Sequence, residues 1–107
     1  MFNFFKGKSS ASSARTPIEE CIIHLSSPKT GERREALDAL GNLAHNRENR
    51  ISIAQAGAIA PLVKLLSDSD TVVRQNAAAA LYNLALNSEN QISIAQAGAI
   101  APLVKLL

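Results

Sequence analysis

The sequence predicts an all-α protein, an α-solenoid of three-helix repeats that is truncated at both ends. Three observations predict it. Residues 51–66 and 92–107 spell the same sixteen residues, ISIAQAGAIAPLVKLL. Sliding the chain by 41 residues lays 26–66 on 67–107 with 28 of the 41 positions identical, so the unit that recurs is a whole supersecondary element. Within each period, apolar residues step by three and four, the spacing of one helix face.

The elements can be justified in chain order. Thr16 and Glu19 form a capping box with Pro17 at the opening position, which starts the first helix. Ile18 and Leu25 align with Ile59 and Leu66, so this helix corresponds to the second helix of a repeat. The segment SENQISIAQAG is a short first helix that Gly98 stops, because glycine most easily takes the left-handed turn after a helix end. AIAPLVKLL is a second short helix, with Pro102 in the first turn where a missing N–H leaves no bond unmade. A third helix is expected over 72–86, capped by Asp70, with Val73, Ala77, Ala80, Leu81 and Leu84 along one stripe. The four alanines at 77–80 let a neighbouring helix approach closely. The chain divides into a tail at 1–15, a partial repeat at 16–46, a full repeat at 47–87 and a partial repeat at 88–107.

Helices this short are marginal alone, and one repeat cannot enclose its own apolar face, so the copies must stack. Stacking leaves an end. APLVKLL offers Leu103, Leu106 and Leu107 with no third helix to cover them, which makes this end a candidate self-association surface. A two-fold homodimer is favoured over head-to-tail stacking because it closes and because association supports so small a chain.

Composition narrows the function. The formal net charge is +2, and Lys6, Lys8 and Arg15 lie among the first sixteen residues without an acid, so the body is nearly neutral. It lacks the one-sided charge of a nucleic-acid binder. Cys21 is the single cysteine, which excludes an intramolecular disulfide and fits a reducing compartment, the cytoplasm or the nucleus. No apolar run reaches the length of a membrane span, and Phe2 stands where N-myristoylation requires glycine. Phe2, Phe4 and Phe5 extend from the body in a free tail, pack over the open N-terminal end as a cap, or form with the lysines a membrane-surface anchor, which is marginal without a second signal.

The segments ALGNLAHNREN (39–49), ALYNLALNSEN (80–90) and the two copies of AGAIAPLVKLL resemble armadillo repeats. Similar repeats occur in β-catenin, importin-α and plant U-box ubiquitin ligases. The likeness runs over about 16–107, and the near-identity of the copies points to a recent duplication, an excised piece or an engineered array. The resemblance implies a right-handed superhelix whose third helices line a concave groove for an extended peptide. It implies that an asparagine on each third helix, here Asn42 and Asn83, bonds the peptide backbone. Asparagine carries both donors and an acceptor, as that task requires. Other groove positions implied by the resemblance are Asn76 and Ala79 in one repeat and Glu35 and Asp38 in the other. Ala79 and Asp38 stand where importin-type grooves carry tryptophan, and the chain has no tryptophan, so the aromatic walls of a nuclear-signal site are missing. Glu35 and Asp38 could still favour a lysine or arginine. The alternative role for Asn42 and Asn83 is to satisfy backbone groups between helices.

No catalytic or cofactor-binding set emerges. The acids are scattered, there is no Gly-rich phosphate loop, and Cys21, His24 and His45 make a poor metal constellation. Cys21 aligns with Leu62 and Leu103 and is expected to be a buried thiol; His24 and His45 align with Leu65 and Leu86 and are expected to be partly buried. The sequence therefore predicts a non-catalytic protein–protein interaction module for an extended peptide or protein partner. The alternative is a self-assembling building block, or a piece of a larger scaffold or ubiquitin ligase without a ligand of its own.

Overall fold

Seven helices follow one another in a computed structural model that describes residues 15–107, and no strand occurs among them. The expectations for the Phe-bearing tail fall outside the described residues. The helices are α1 (Pro17–His24), α2 (Thr30–Leu43), α3 (Arg47–Gln55), α4 (Ile59–Leu65), α5 (Thr71–Leu84), α6 (Ser88–Gln96) and α7 (Ile100–Lys105). By the 41-residue period, α3 and α6 are first helices, α1, α4 and α7 second helices, and α2 and α5 third helices.

The helix ends follow from side chains near in sequence. Thr16 accepts a bond from the Glu19 N–H at 3.1 Å, and the Glu19 carboxylate accepts from the Thr16 N–H at 2.9 Å, completing the capping box. Asp70 caps α5 by accepting from the Val73 N–H at 2.9 Å. Gly57 and Gly98 take φ of 94° and 86°, the left-handed region that glycine enters without steric cost, and turn the chain from first to second helix. The third helix of the full repeat starts one residue before the expected 72–86 span and ends two residues short of it. Its end is set by the next helix: Asn90 donates to the Leu84 carbonyl at 2.9 Å and Gln91 to the Ala85 carbonyl at 2.8 Å. One period earlier, Asn49 donates to the Leu43 carbonyl at 3.0 Å and Arg50 to the Ala44 carbonyl at 2.7 Å. These carbonyls would otherwise be orphans of the last turn.

The recurring Asn-x-Glu-Asn stretch is thus a corner device. Its first asparagine, Asn46 or Asn87, caps the helix that begins, and its second, Asn49 or Asn90, closes the helix that ends. Asn90 also reaches the Arg50 carbonyl of the preceding repeat at 3.3 Å, so the corner ties neighbours together.

One apolar core runs through the stack. It holds Cys21 and Leu25 at one end, Leu37, Leu40, Ile53, Leu62 and Leu66 in the middle, and Val73, Leu81, Leu84 and Ile94 beyond. The third helices α2 and α5 lie against each other, with Ala36, Ala77 and Ala80 fully buried, and α5 also covers α4. The body measures 41 × 29 × 20 Å, an elongated stack.

The two identical sixteen-residue copies show what stacking does. Ile59 is 7% exposed and its twin Ile100 is 63%; Leu66 is 2% exposed and its twin Leu107 is 104%. The first copy has α5 over it, and the second has no described helix in that place. The open end differs in detail from the sequence expectation. Leu103 is half-buried and packs on the core, while Ile100, Val104 and Leu107 are the residues most open to solvent, with Leu106 near the boundary. The reason is helical phase: α7 keeps the face that carries Leu103 against the rest of its own partial repeat and presents the remainder outward.

The contrast yields a prediction. Leu62→Ala empties a fully enclosed site and costs about 2–5 kcal/mol, whereas Leu103→Ala, the same change in the same local sequence, costs less than about 1.5 kcal/mol. Urea denaturation of the two variants against the parent measures the difference.

Candidate functional site

One face of the stack is built by α2 and α5, and the 41-residue register sets their side chains in matched rows. From helix start to helix end the rows are Glu35 with Asn76, Asp38 with Ala79, Asn42 with Asn83, and His45 with Leu86. The residues between α2 and α5 line a shallow depression of about 190 Å³, which includes Asp38, Gly41, Asn42, His45, Asn76, Ala79 and Asn83. Five of the six groove residues proposed from sequence therefore meet in one place. Glu35 is exposed one helical turn before Asp38 and does not line the depression.

Asn42 is exposed and Asn83 is half-buried. Among the described residues, neither side chain makes a hydrogen bond within the chain. The interhelical backbone bonds that were the alternative role for these asparagines fall to Asn49 and Asn90 instead. Each groove asparagine thus keeps two donors and an acceptor unspent. Asn76 donates weakly to Asp38 across the repeat boundary, at 3.5 Å.

His45 departs from expectation. Its alignment with Leu86 implied a partly buried ring, but His45 is exposed and lines the depression, and Leu86 is itself 54% exposed. Both lie just beyond the end of a third helix, where the chain turns at the rim and no neighbour covers it. The i, i+3, i+7 spacing of Asp38, Gly41 and His45 was the available signal for their shared face. His24 is partly buried, with its Nδ1 2.9 Å from the Glu20 carbonyl.

Two ion pairs join the start of α2 to the loop before α5. Arg33 places Nε 3.1 Å and Nη2 3.2 Å from the two carboxylate oxygens of Asp68. Arg34 does the same with Asp70, at 3.2 and 3.0 Å. The hydrogen bond from Arg34, then the Val73 N–H, holds the Asp70 carboxyl below the usual aspartate value, and Asp70 raises Arg34 in turn. Asp70 thus caps its own helix and receives the neighbouring repeat with one group. Nothing local in the sequence pairs residues 36 apart; only the stacking does.

Cys21 lies outside the groove. It is fully enclosed, and burial, then the neighbouring Glu20 charge, pushes its thiol up to about 12. A thiol with so high a value is a poor nucleophile near neutral pH. Among the described residues, no three His, Cys, Asp or Glu are grouped to hold a metal ion, and no helix is long and apolar enough to cross a membrane.

Stacked three-helix units whose longest helices run side by side along an open depression define an α-solenoid. Residues 46–86 match the family model described as the armadillo/β-catenin-like repeat, and the chain is an armadillo-repeat solenoid, a short array of such units. It is 49% identical over 61 residues to E3 ubiquitin-protein ligase SPL11 of Oryza sativa subsp. japonica, covering 56% of this chain and 9% of that protein. It is 37% identical over 68 residues to U-box domain-containing protein 11 of Arabidopsis thaliana, covering 63% of this chain and 11% of the relative. The chain thus spans about a tenth of either relative. Among solved structures it is similar to an engineered protein, with a TM-score of 0.84 at 34% identity over 87% of this chain and 38% of the other. It is also similar to a designed armadillo repeat protein in complex with the peptide (KR)4, with a TM-score of 0.80 at 37% identity over 84% of this chain and 38% of that one.

The Arg34–Asp70 pair carries a pH dependence. Because Asp70 is lowered in the folded chain, its contribution is complete above about pH 4, the ordinary aspartate value, and is lost as the pH falls through its lowered folded value. Asp70→Asn keeps a good helix cap and removes the charge. The variant should unfold at a lower urea concentration than the parent near pH 7, and the gap between their midpoints should close towards pH 2.

Proposed function

We propose that this chain is a non-catalytic interaction module that holds an extended peptide in the groove between α2 and α5. Asn42 and Asn83 bond the peptide backbone, and Asp38, with Glu35 beside it, receives a lysine or arginine side chain. The observation that carries this reading is that the two asparagines stand one period apart on facing helices with no bond of their own among the described residues. Two residues of extended chain span about 6.6–7 Å, so an asparagine on each of two closely packed helices can serve alternate peptide residues. The designed relative solved with (KR)4 supports the choice of a basic extended peptide. A partner in the cytoplasm or nucleus suits the single unpaired cysteine. The test is fluorescence anisotropy of labelled eight-residue peptides, (KR)4 among them. Asn83→Ala removes backbone bonds worth about 0.5–1.5 kcal/mol and should weaken binding by about three- to tenfold. Equal binding by parent and variant would show the groove to be idle.

A second reading rests on the exposure of Ile100, Val104 and Leu107 on α7, against the burial of Ile59, Leu62 and Leu66 in the identical earlier copy. We infer that this apolar end pairs with the same end of a second copy. An isologous contact covers both patches at once and closes, so it accounts for the exposed surface without an open-ended filament. Light scattering over a concentration series should show a dimer forming, and Val104→Glu should return it to monomer. A monomer at every concentration rules the association out.

A further inference from the structure

The two edges of the groove differ in charge, and only one of them enters the reading above. Resting on that reading, we propose that the groove selects a peptide of alternating charge, with cationic residues turned to one edge and acidic residues to the other.

The charges that remain unspent decide this. At the edge nearer the helix starts, Arg33 and Arg34 are both consumed by Asp68 and Asp70. Glu35 has no bond among the described residues, and Asp38 has the long contact from Asn76 and the nearby charge of Arg34, whose hydrogen bonds go to Asp70. That edge is therefore net acidic towards a ligand. At the edge beyond the helix ends, Arg50 is consumed by the carbonyls of Ala44 and His45, at 2.7 and 3.2 Å. Arg47 is exposed, and among the described residues it makes no hydrogen bond or ion pair. It lines a depression of about 280 Å³ together with Arg50, Leu86, Asn87 and Ser88, and Glu48 is not part of that lining. By register, Leu86 holds the position that the groove-lining His45 holds one repeat earlier, which puts this separate depression beyond the groove's far edge. The far edge is therefore cationic, with an exposed apolar residue beside the charge.

Geometry turns two edges into a pattern. Asp38 lies on α2 and His45 two residues beyond its end, and Asn42 lies between them. A backbone held on the asparagine row has its side chains pointing alternately to opposite sides. Every second residue faces Glu35 and Asp38; the residues between face Arg47 and Leu86. Lysine or arginine fits the first set. Glutamate fits the second, with its methylenes on Leu86 and its carboxylate at Arg47. A uniformly basic peptide would place half of its charges against Arg47.

The test compares (KE)4, (KR)4 and the block peptide KKKKEEEE by anisotropy at physiological salt, with parent, Arg47→Ala, Arg47→Gln and Asn83→Ala proteins. The block peptide has the composition of (KE)4 without its alternation. Exposed pairs are individually weak, so the expected advantage of (KE)4 over either other peptide is about three- to fivefold. Both Arg47 variants should abolish that advantage and leave (KR)4 bound as well as before or better; circular dichroism confirms that they fold. If (KR)4 binds the parent as tightly as (KE)4 does, or if the Arg47 variants keep the preference, the alternating-charge proposal is overturned. Should Asn83→Ala still weaken (KR)4 in that case, the peptide-groove reading stands without it. If no peptide binds the parent, both fail together.

Discussion

Everything in this molecule depends on one constraint: no repeat can close its own core. A helix of six to nine residues has too few hydrogen bonds to stand alone in water, and its apolar face is wider than its own repeat can cover. Burial is therefore borrowed from the next repeat. The contrast between Ile59 and Ile100, identical in local sequence and opposite in exposure, isolates this term from every property of the helix itself. The enclosed alanines at 36, 77 and 80 serve the same end, since they let α2 and α5 come close enough to exclude water.

Close stacking creates a second problem, which the corners solve. Each three-helix repeat brings helix starts and helix ends together in a small space, and buried ends need partners. Asn46 and Asn87 satisfy the starting N–H groups, while Asn49, Arg50, Asn90 and Gln91 satisfy the closing carbonyls. Because the corner side chains carry that load, Asn42 and Asn83 are released from it. One residue type thus occurs in one motif-rich stretch both bonded into the corners and free of bonds among the described residues, and the hydrogen-bond pattern tells the two apart. Arginine shows the same division: 33, 34 and 50 are held by the fold, and 47 faces solvent.

The result is a packed wall with a few uncommitted groups on it. The enclosed Cys21, raised by its burial, adds stability and no reactivity near neutral pH. The likeness to two plant proteins extends over a small share of each.

The sequence by itself determined the period, the helix content and most of the caps. These rest on contacts within a few residues, as with Thr16 and Glu19, Asp70 and Val73, or glycine at 57 and 98, and short-range chemistry is written in short-range spacing. The matched rows of the groove were also legible, because a fixed period places equivalent residues on equivalent faces. Tertiary structure alone decided which of two identical segments is buried, that Arg33 and Arg34 reach Asp68 and Asp70, and that His45 is open while its alignment with a leucine implied cover. Each of those outcomes depends on what lies across a repeat boundary, and a residue's own neighbours in sequence carry no record of that.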